Sequence, residues 1–336
     1  MSPLTDTALR DAHAVLFPAI TDLRPDAWLD AALAGGTRAV VLGEDRQEYV
    51  DRRMTPERER AESVADVTRF TAHARATAGA ELVVAVDHEP WGTRRLQHLA
   101  PQLPPVTGDA DPAQLRDSAR DFARAARGMG VTAVLSPVLD RLTGQNPWLS
   151  GRTLDADPER IGELAAAFVR GVQDGGVLAV PKHVPGFPAV TADPAEAPSE
   201  VPAGQWSPEQ VVPFRAVLAA GATAAMLGPA PVAQLDSQPA STSRAVVQLL
   251  REELGFTGLV VSDDLDAPAT TMGRSLPDTA LAAVDAGVDL LLLGGGDGVA
   301  EVAHALHARA DADSRFARRL HDAAQRVRAT ADRTRP

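Results

Sequence analysis

The chain has 336 residues, of which 45% are hydrophobic and 23% are charged, an ordinary composition for a globular protein with a large core. Its formal net charge of -12 argues against a nucleic-acid partner, because phosphate binding requires a basic surface. Cysteine is absent, which excludes disulfide bonds and thiolate metal sites. The N-terminus lacks a basic start followed by a long apolar run, and no stretch approaches about 18 uninterrupted apolar residues. We therefore expect a soluble, cytoplasmic protein without a membrane partner.

Eight short apolar runs follow one another along the chain, and most are separated by amphipathic helical patterns. The runs consist mainly of consecutive Val, Leu, Ala and Ile, which is typical of parallel strands buried on both faces. They span residues 14–20, 37–43, 81–87, 131–137, 176–182, 223–228, 258–263 and 289–294. A long, arginine-rich helical region follows the last run, at roughly 299–333.

This alternation predicts the α/β class and a single (β/α)8 TIM barrel that occupies residues 1–336 as one domain. A doubly wound sheet is the alternative, but no G-x-G-x-x-G pattern follows the first run. The longest irregular segment is the proline-rich stretch 184–206, and a long loop in a compact domain is usually functional or disordered.

Polar side chains follow several of the predicted strands, at the end of a (β/α)8 barrel where active sites lie. These residues are Asp87, His88 and Glu89 after the third run, Asp140 and Arg152 after the fourth, Lys182 and His183 after the fifth, and Asp263, Asp264 and Asp266 after the seventh. Together they predict a charged pocket able to bind hydroxyl groups. Each also has a structural alternative: Asp263 and Asp264 as helix caps, Asp87 as a partner of Arg95, and Lys182 with His183 as solvated loop residues.

Lys182 is the only lysine, and arginine supplies the other 32 of the 33 basic residues. A position that keeps lysine in such a chain either requires a compact ammonium rather than a planar guanidinium or has kept it by chance.

Several of these segments resemble glycoside hydrolase family 3, and in particular its single-domain bacterial β-N-acetylglucosaminidases. The resemblance rests on KHVPG (182–186), GRTLDADPERIGELAAAFVRGVQDGGV (151–177) and ELGFTGLVVSDDL (253–265), with AVDHE, SPVLD and DAGVDLLLL in the same order. It extends from about residue 37 to 295 and implies a small carbohydrate substrate, with no cofactor or metal.

The resemblance also implies roles for individual residues. Asp263 matches the nucleophilic aspartate of a retaining glycosidase, which forms a covalent glycosyl intermediate. Lys182 and His183 match the pair that holds sugar hydroxyls. Asp87, Arg95 and Arg152 match further contacts around the terminal sugar.

One loop departs from the family pattern. In the family, the loop after the KH pair leads to Asp-Ser-His, whose aspartate and histidine form the acid/base pair. Here Asp193 keeps the aspartate, but Pro194 and Ala195 stand in the serine and histidine positions, and Phe187 and Pro188 replace a His-Gly pair. Alanine cannot transfer a proton, and a positioned acid/base contributes roughly 10²–10⁴ in rate. Glu196, Asp193 and Glu200 are candidate replacements, and the alternative is that these acids only solvate the loop.

Two functions therefore stay open: a retaining β-glycosidase acting on terminal N-acetylglucosamine or a related sugar through Asp263, and a catalytically impaired member that binds sugar or a partner protein. A Schiff-base aldolase using Lys182, with phosphate bound at Gly294 to Gly296, is a further alternative. A metal-dependent hydrolase built from Asp87, His88, His183 and Asp263 is the least supported, because no H-x-H or H-E-x-x-H pattern is present.

Overall fold

The computed structural model of the protein describes residues 3–51, 53–154 and 156–335. Within these ranges the chain alternates between strands and helices. The strands are β1 (Leu16–Ile20), β2 (Ala39–Leu42), β3 (Val83–Val86), β4 (Ala133–Val134), β5 (Leu178–Ala179), β6 (Ala224–Met226), β7 (Pro231–Val232), β8 (Asp236–Pro239), β9 (Leu259–Val261) and β10 (Leu291–Leu293). The α-helices are α1 (Pro3–Ala14), α2 (Ala27–Gly35), α3 (Arg46–Asp51), α4 (Pro56–Ala61), α5 (Val64–Ala78), α6 (Pro112–Gly128), α7 (Pro158–Asp174), α8 (Val212–Ala219), α9 (Arg244–Gln248), α10 (Pro268–Thr271), α11 (Leu276–Ala286), α12 (Val299–Ala312) and α13 (Ser314–Arg333).

The strands form a largely parallel arrangement, and the α/β class predicted from the sequence is confirmed. Six strands make one parallel sheet in the order β10-β1-β2-β3-β4-β5, and β6 pairs in parallel with β9. Each of the eight apolar runs contains one of these eight strands. The antiparallel pair β7-β8 was not predicted, because β8 has the polar sequence DSQP and offers no apolar run.

Both faces of the strands are buried, which explains the continuous apolar runs. Ala39 and Val41 of β2 belong to one apolar cluster, whereas Val40 and Leu42 belong to another. Successive strand side chains point to opposite faces, so the two clusters occupy opposite sides of the sheet. The first cluster includes side chains from β1, β2, β3, β4, β5, β6, β9 and β10.

The carboxyl-terminal helical region consists of two helices rather than one. Asp313 has an extended backbone between α12 and α13, and its side chain accepts hydrogen bonds from the amides of Arg315 and Phe316. An aspartate in this geometry caps a helix N-terminus and so begins α13 as a separate helix.

The proline-rich stretch 184–206 contains no helix or strand of the described chain, but its backbone is bonded to other segments. Val190 N donates to Gln145 O at 3.1 Å, and Val201 N donates to Pro231 O at 2.9 Å. Phe187 is fully buried and anchors the loop in the core. Separately, none of the helices in the described ranges combines the length and the apolar character needed to cross a bilayer.

Candidate functional site

A cavity of about 410 Å³ opens where the carboxyl ends of the parallel strands meet. Residues that follow β2, β3, β5, β9 and β10 form much of its wall. Five of the eight candidate site residues line it: Asp87, Arg152, Lys182, His183 and Asp263. The tertiary structure therefore brings together side chains that lie far apart in the chain.

Lys182 lies in the cavity wall between two carboxylates. Its ammonium pairs with Asp87, its Nζ lies 3.0 Å from Oε1 of Glu89, and its side chain is 3% exposed. Burial lowers the pKa of Lys182, but Asp87 and Glu89 outweigh burial and raise it above its ordinary value. The ammonium therefore stays charged at neutral pH. A charged ammonium suits hydrogen bonding to ligand hydroxyls, whereas Schiff-base chemistry requires the neutral amine.

Glu89 is the shared counter-ion of two cations. Its side chain is fully buried, its Oε1 lies 2.6 Å from Nη2 of Arg152, and its Oε2 accepts from Nε of Arg152 at 3.3 Å. Burial raises the pKa of Glu89, but Arg152 and Lys182 outweigh burial and hold it far below its ordinary value. Glu89 therefore stays ionised and fixes Arg152 and Lys182 at the cavity wall. The sequence placed Glu89 at a strand end but indicated no role for it.

His183 is oriented by Asp140, a residue of the loop after β4. Oδ2 of Asp140 lies 2.8 Å from Nδ1 of His183 and also accepts from the His183 amide, while Oδ1 accepts from the Phe187 amide. The imidazole lies against Trp148, with ring centroids 4.5 Å apart. Since a carboxylate accepts from Nδ1–H, Nε2 is the nitrogen presented to the cavity.

Asp263 follows β9 and presents one carboxylate oxygen to the cavity. Its Oδ1 accepts from the Asp264 amide at 2.8 Å, and its own amide donates to Oγ of Ser241 at 2.8 Å. Its Oδ2 is buried without a hydrogen-bond partner in the described ranges and lies 3.9 Å from Nε2 of His183. Burial raises the pKa of Asp263, and His183 opposes that rise. One oxygen is thus held in place while the other is available to a ligand.

Comparison with known proteins identifies the family. Residues 50–330 match the family model described as the glycosyl hydrolase family 3 N terminal domain. The chain belongs to glycosyl hydrolase family 3. The resemblance seen in the motifs is therefore confirmed, and so is the prediction that the protein is a glycoside hydrolase.

Similar proteins carry related names. The family 3 chain is 33% identical over 243 residues to a β-hexosaminidase of Nitrosospira multiformis, covering 69% of this chain and 70% of the relative. It is 35% identical over 234 residues to a β-hexosaminidase of Tolumonas auensis, covering 65% and 68% of the two chains. Among solved structures, a β-N-acetylhexosaminidase from Beutenbergia cavernae superposes with a TM-score of 0.83 at 28% identity and covers 99% of both chains.

Arg95 lies outside the cavity wall of this family 3 structure. Its Nη1 and Nη2 each lie 2.6 Å from an oxygen of Glu62, and its Nε donates to Gly43 O at 3.0 Å. The side chain is 1% exposed. In this arrangement Arg95 links the segment that follows β2 to Glu62.

The loop expected from the resemblance to carry the acid/base presents apolar residues to the cavity. Pro194 and Ala195 line the wall. The Asp193 carboxylate accepts from the Ala195 amide at 3.0 Å, which closes a tight turn. Glu196, at the end of that turn, is exposed. The structure therefore places Asp193 and Glu196 beside the cavity wall rather than in it.

Three further carboxyl groups line the cavity without a role assigned from the sequence: Glu44, Asp45 and Asp264. Glu44 follows β2 after Gly43, and Asp264 follows Asp263. Burial and Asp87 raise the pKa of Glu44 to about 8, against the opposing effect of Arg95. Burial also raises the pKa of Asp264 well above its ordinary value. Extending the strand-end search to the second predicted strand would have found Glu44.

The remaining alternatives fit the geometry poorly. His88 is a buried core residue that stacks on Phe122 with centroids 4.0 Å apart, and burial lowers its pKa to about 3. The Gly294 amide donates to both oxygens of Asp266, at 3.0 and 3.2 Å, so a carboxylate already occupies one of the three amides considered for phosphate. Among the described residues, no group of three or more His, Asp or Glu side chains could hold a metal ion.

Proposed function

We propose that the protein is a retaining β-glycosidase that acts on terminal β-N-acetylglucosamine or a related sugar, with Asp263 as the nucleophile. The observation that carries the proposal is the buried Oδ2 of Asp263, which has no hydrogen-bond partner among the described residues and lies in a cavity lined by Lys182, Arg152 and His183. Relatives named β-hexosaminidase and β-N-acetylhexosaminidase support the choice of sugar.

In the proposed reaction, the charged and polar groups of the wall hold the hydroxyls of the terminal sugar. Lys182 and Arg152 donate charge-assisted hydrogen bonds, and Asp87 accepts them. Oδ2 of Asp263 attacks the anomeric carbon as the bond to the leaving-group oxygen breaks, which forms a covalent glycosyl ester. Water then attacks the same carbon and releases Asp263 as a carboxylate, while the proton of the water passes to the carboxylate that had protonated the leaving group.

The proton for the leaving group comes from a non-standard source in this proposal. Glu196 and Asp193 are the candidates, and the turn that contains them must shift for either carboxyl to reach the leaving-group oxygen, because Pro194 and Ala195 now face the cavity. The same observation favours a second candidate function, a member with impaired catalysis that binds sugar, because alanine and proline cannot transfer a proton.

A series of aryl β-N-acetylglucosaminides with graded leaving groups separates these functions. Turnover of natural disaccharides as well as activated aryl glycosides would show that an acid/base is present. Turnover of highly activated glycosides alone would show a nucleophile without its acid. Calorimetric binding of N-acetylglucosamine without turnover of any glycoside would show the binding protein.

The nucleophile is tested independently of the leaving group. A fluorinated sugar with a good leaving group should label the protein, and mass spectrometry should find the label on Asp263. Asp263→Asn should prevent both labelling and turnover while leaving the unfolding midpoint close to that of the wild type. Labelling at another residue, or turnover by Asp263→Asn, would refute the assignment.

We also propose that the eight parallel strands close into a single (β/α)8 barrel and that the chain forms one domain. Two sets of backbone contacts support closure: Val184 N donates to Met226 O at 2.9 Å, and Ser262 N donates to Leu290 O at 2.9 Å. These bonds link the two-stranded β6-β9 sheet to both ends of the six-stranded sheet. The apolar cluster that includes side chains from all eight strands fits a packed barrel interior.

A further inference from the structure

We propose that Ser241 is a positioning residue for the nucleophile, because its buried hydroxyl holds the backbone of Asp263 so that Oδ2 meets the anomeric carbon. This role rests on the proposed glycosidase function, since it takes Asp263 as the nucleophile. Ser241 lies in a short 3₁₀ helix, Ala240–Thr242, 22 residues before Asp263 in the chain, and is fully buried. In this proposal Ser241 does not contact the sugar and acts only through Asp263.

The hydroxyl of Ser241 connects the ends of two neighbouring strands. Its Oγ accepts from the Asp263 amide at 2.8 Å and donates to Gly228 O at 2.9 Å. Asp263 follows β9 and Gly228 follows β6, and these two strands pair in parallel. A serine hydroxyl can donate and accept at the same time, so one group satisfies both backbone atoms. A single buried hydroxyl therefore links the two strand ends at the cavity.

The regular pairing of β6 with β9 is interrupted at Asp263. The Leu227 amide donates to Val261 O at 2.9 Å. In a parallel ladder each residue bonds to two residues of the partner strand, so the next bond of this ladder would run from the Asp263 amide to Leu227 O. The Asp263 amide donates to Ser241 instead. The serine hydroxyl thus takes the place of a strand carbonyl at the residue that carries the proposed nucleophile.

The other end of this link is firmly held. Gly228 O accepts from the Ser241 amide at 3.0 Å as well as from its hydroxyl, and the Gly228 amide donates to Val184 O at 2.9 Å. The ring of Phe187 packs so closely against Gly228 that it leaves no room for a side chain at this position. The support on which Ser241 rests is therefore close-packed, and such packing resists displacement.

The hydroxyl acts on the carboxylate through the backbone. Oδ1 of Asp263 accepts from the Asp264 amide at 2.8 Å, so the carboxylate is tied to the backbone that Ser241 holds. Bond formation requires the reacting atoms to lie about 3–3.5 Å apart, and a displacement of about 1 Å can lower the rate about 10²-fold. Because Ser241 contacts the amide rather than the carboxylate, we expect its loss to slow attack on the sugar and to leave sugar binding in place.

The test removes the hydroxyl of Ser241 and that of a matched control, Thr132. Oγ1 of Thr132 also joins two strands, since it accepts from the Val84 amide at 2.8 Å and donates to Leu82 O at 3.1 Å, and the residue is buried. Thr132 precedes β4 and so lies at the amino end of the strands, away from the cavity. Ser241→Ala and Thr132→Val should lower the unfolding midpoint to a similar extent, because each leaves a buried amide without its acceptor.

Only the change at Ser241 should slow the covalent step. In Ser241→Ala the rate constant for labelling of Asp263 by the fluorinated sugar, measured at saturating sugar, should fall by about 10- to 100-fold. The Kd for N-acetylglucosamine, measured by calorimetry, should stay within about threefold of the wild type. Thr132→Val should leave both quantities close to the wild type. Ser241→Cys keeps the shape of the side chain with a weaker hydrogen-bonding group, so it should also be slowed and serves as the second variant if Ser241→Ala does not fold.

Three results would overturn the positioning role: labelling of Ser241→Ala at the wild-type rate, equal slowing in Thr132→Val, or a rise in Kd in place of a slower covalent step. Each of these outcomes leaves the glycosidase proposal intact, because the wild type is still labelled on Asp263. If the wild type is not labelled and turns over no glycoside, the glycosidase proposal fails first, and the role of Ser241 fails with it.

Discussion

Nε2 of His183 lies 3.9 Å from Oδ2 of Asp263, and Nδ1 of the same imidazole lies 2.8 Å from the carboxylate of Asp140. Asp140 therefore orients the ring whose other nitrogen faces the proposed nucleophile. The imidazole and both carboxylates lie on separate segments after β5, β4 and β9, so their arrangement depends on the strand order.

Asp140→Asn should destabilise the protein. Asp140 is 1% exposed and accepts from three N–H groups, those of His183 Nδ1, the His183 amide and the Phe187 amide. The asparagine amide nitrogen would face a donor instead of accepting from it, and an unsatisfied buried donor costs about 1–3 kcal/mol. Urea unfolding should show that the free energy of unfolding falls by this amount. Asp322→Asn, at an exposed position of α13, serves as the control, and an equally small effect of both substitutions would contradict the prediction.

Glu89→Gln should reveal a pH-dependent stability difference. The folded-state pKa of Glu89 is held below its unfolded value, so its contribution is fully present above pH values near 4.5 and is lost as the pH falls. At pH 7 we expect the substitution to lower the free energy of unfolding by about 3–5 kcal/mol, because two buried cations lose their counter-ion. Between pH 6 and pH 3 the difference in the free energy of unfolding between the wild type and Glu89→Gln should narrow by about 2 kcal/mol. Denaturant unfolding across this range measures it, and a constant difference would argue against an ionised Glu89.

Ala195→His should restore a proton donor at the cavity wall. Ala195 lines the cavity, and its amide already contacts the Asp193 carboxylate, which could orient a new imidazole. For glycosides with poor leaving groups we expect kcat/KM to rise by about 10²-fold, because only these substrates need the proton during bond cleavage. The kcat/KM for highly activated aryl glycosides should change little.

The same substitution in an Asp263→Asn background is the control for Ala195→His, and it should produce no activity. A uniform rise in kcat/KM for glycosides with all leaving groups would indicate an effect on binding rather than on proton transfer.

Arg95→Lys distinguishes a ligand contact from a positioning role. The guanidinium holds Glu62 with two nitrogens and Gly43 O with the third, an arrangement that lysine cannot reproduce. We expect a loss of about 2–3 kcal/mol in the free energy of unfolding, with KM within about threefold of the wild type. Steady-state kinetics and urea unfolding on the same preparations measure both. A large rise in KM with unchanged stability would instead support the direct sugar contact that the resemblance implies.

The sequence predicted the strands better than the partners of individual side chains. All eight parallel strands lie within apolar runs because burial on both faces selects apolar residues at consecutive positions. This pattern is contained within a short segment and can be read from the sequence. The strand-end rule also found Asp87, Lys182, His183 and Asp263, since parallel strands place their carboxyl ends at one edge. Glu44 is the first residue after the second predicted run and obeys the same rule, but the sequence analysis assigned no role to any residue after that run.

The sequence by itself determined that the chain is an α/β protein of glycoside hydrolase family 3, because apolar periodicity and motif order are properties of short segments. Only the tertiary structure decided that Arg95 pairs with Glu62, that Ala195 rather than Glu196 lines the cavity, and that Glu89 is shared by Lys182 and Arg152. The physical reason is that a charged side chain pairs with a residue that is close in space but can be distant in the sequence. Burial and distance, which set its pKa and its contacts, exist only after distant segments have packed together.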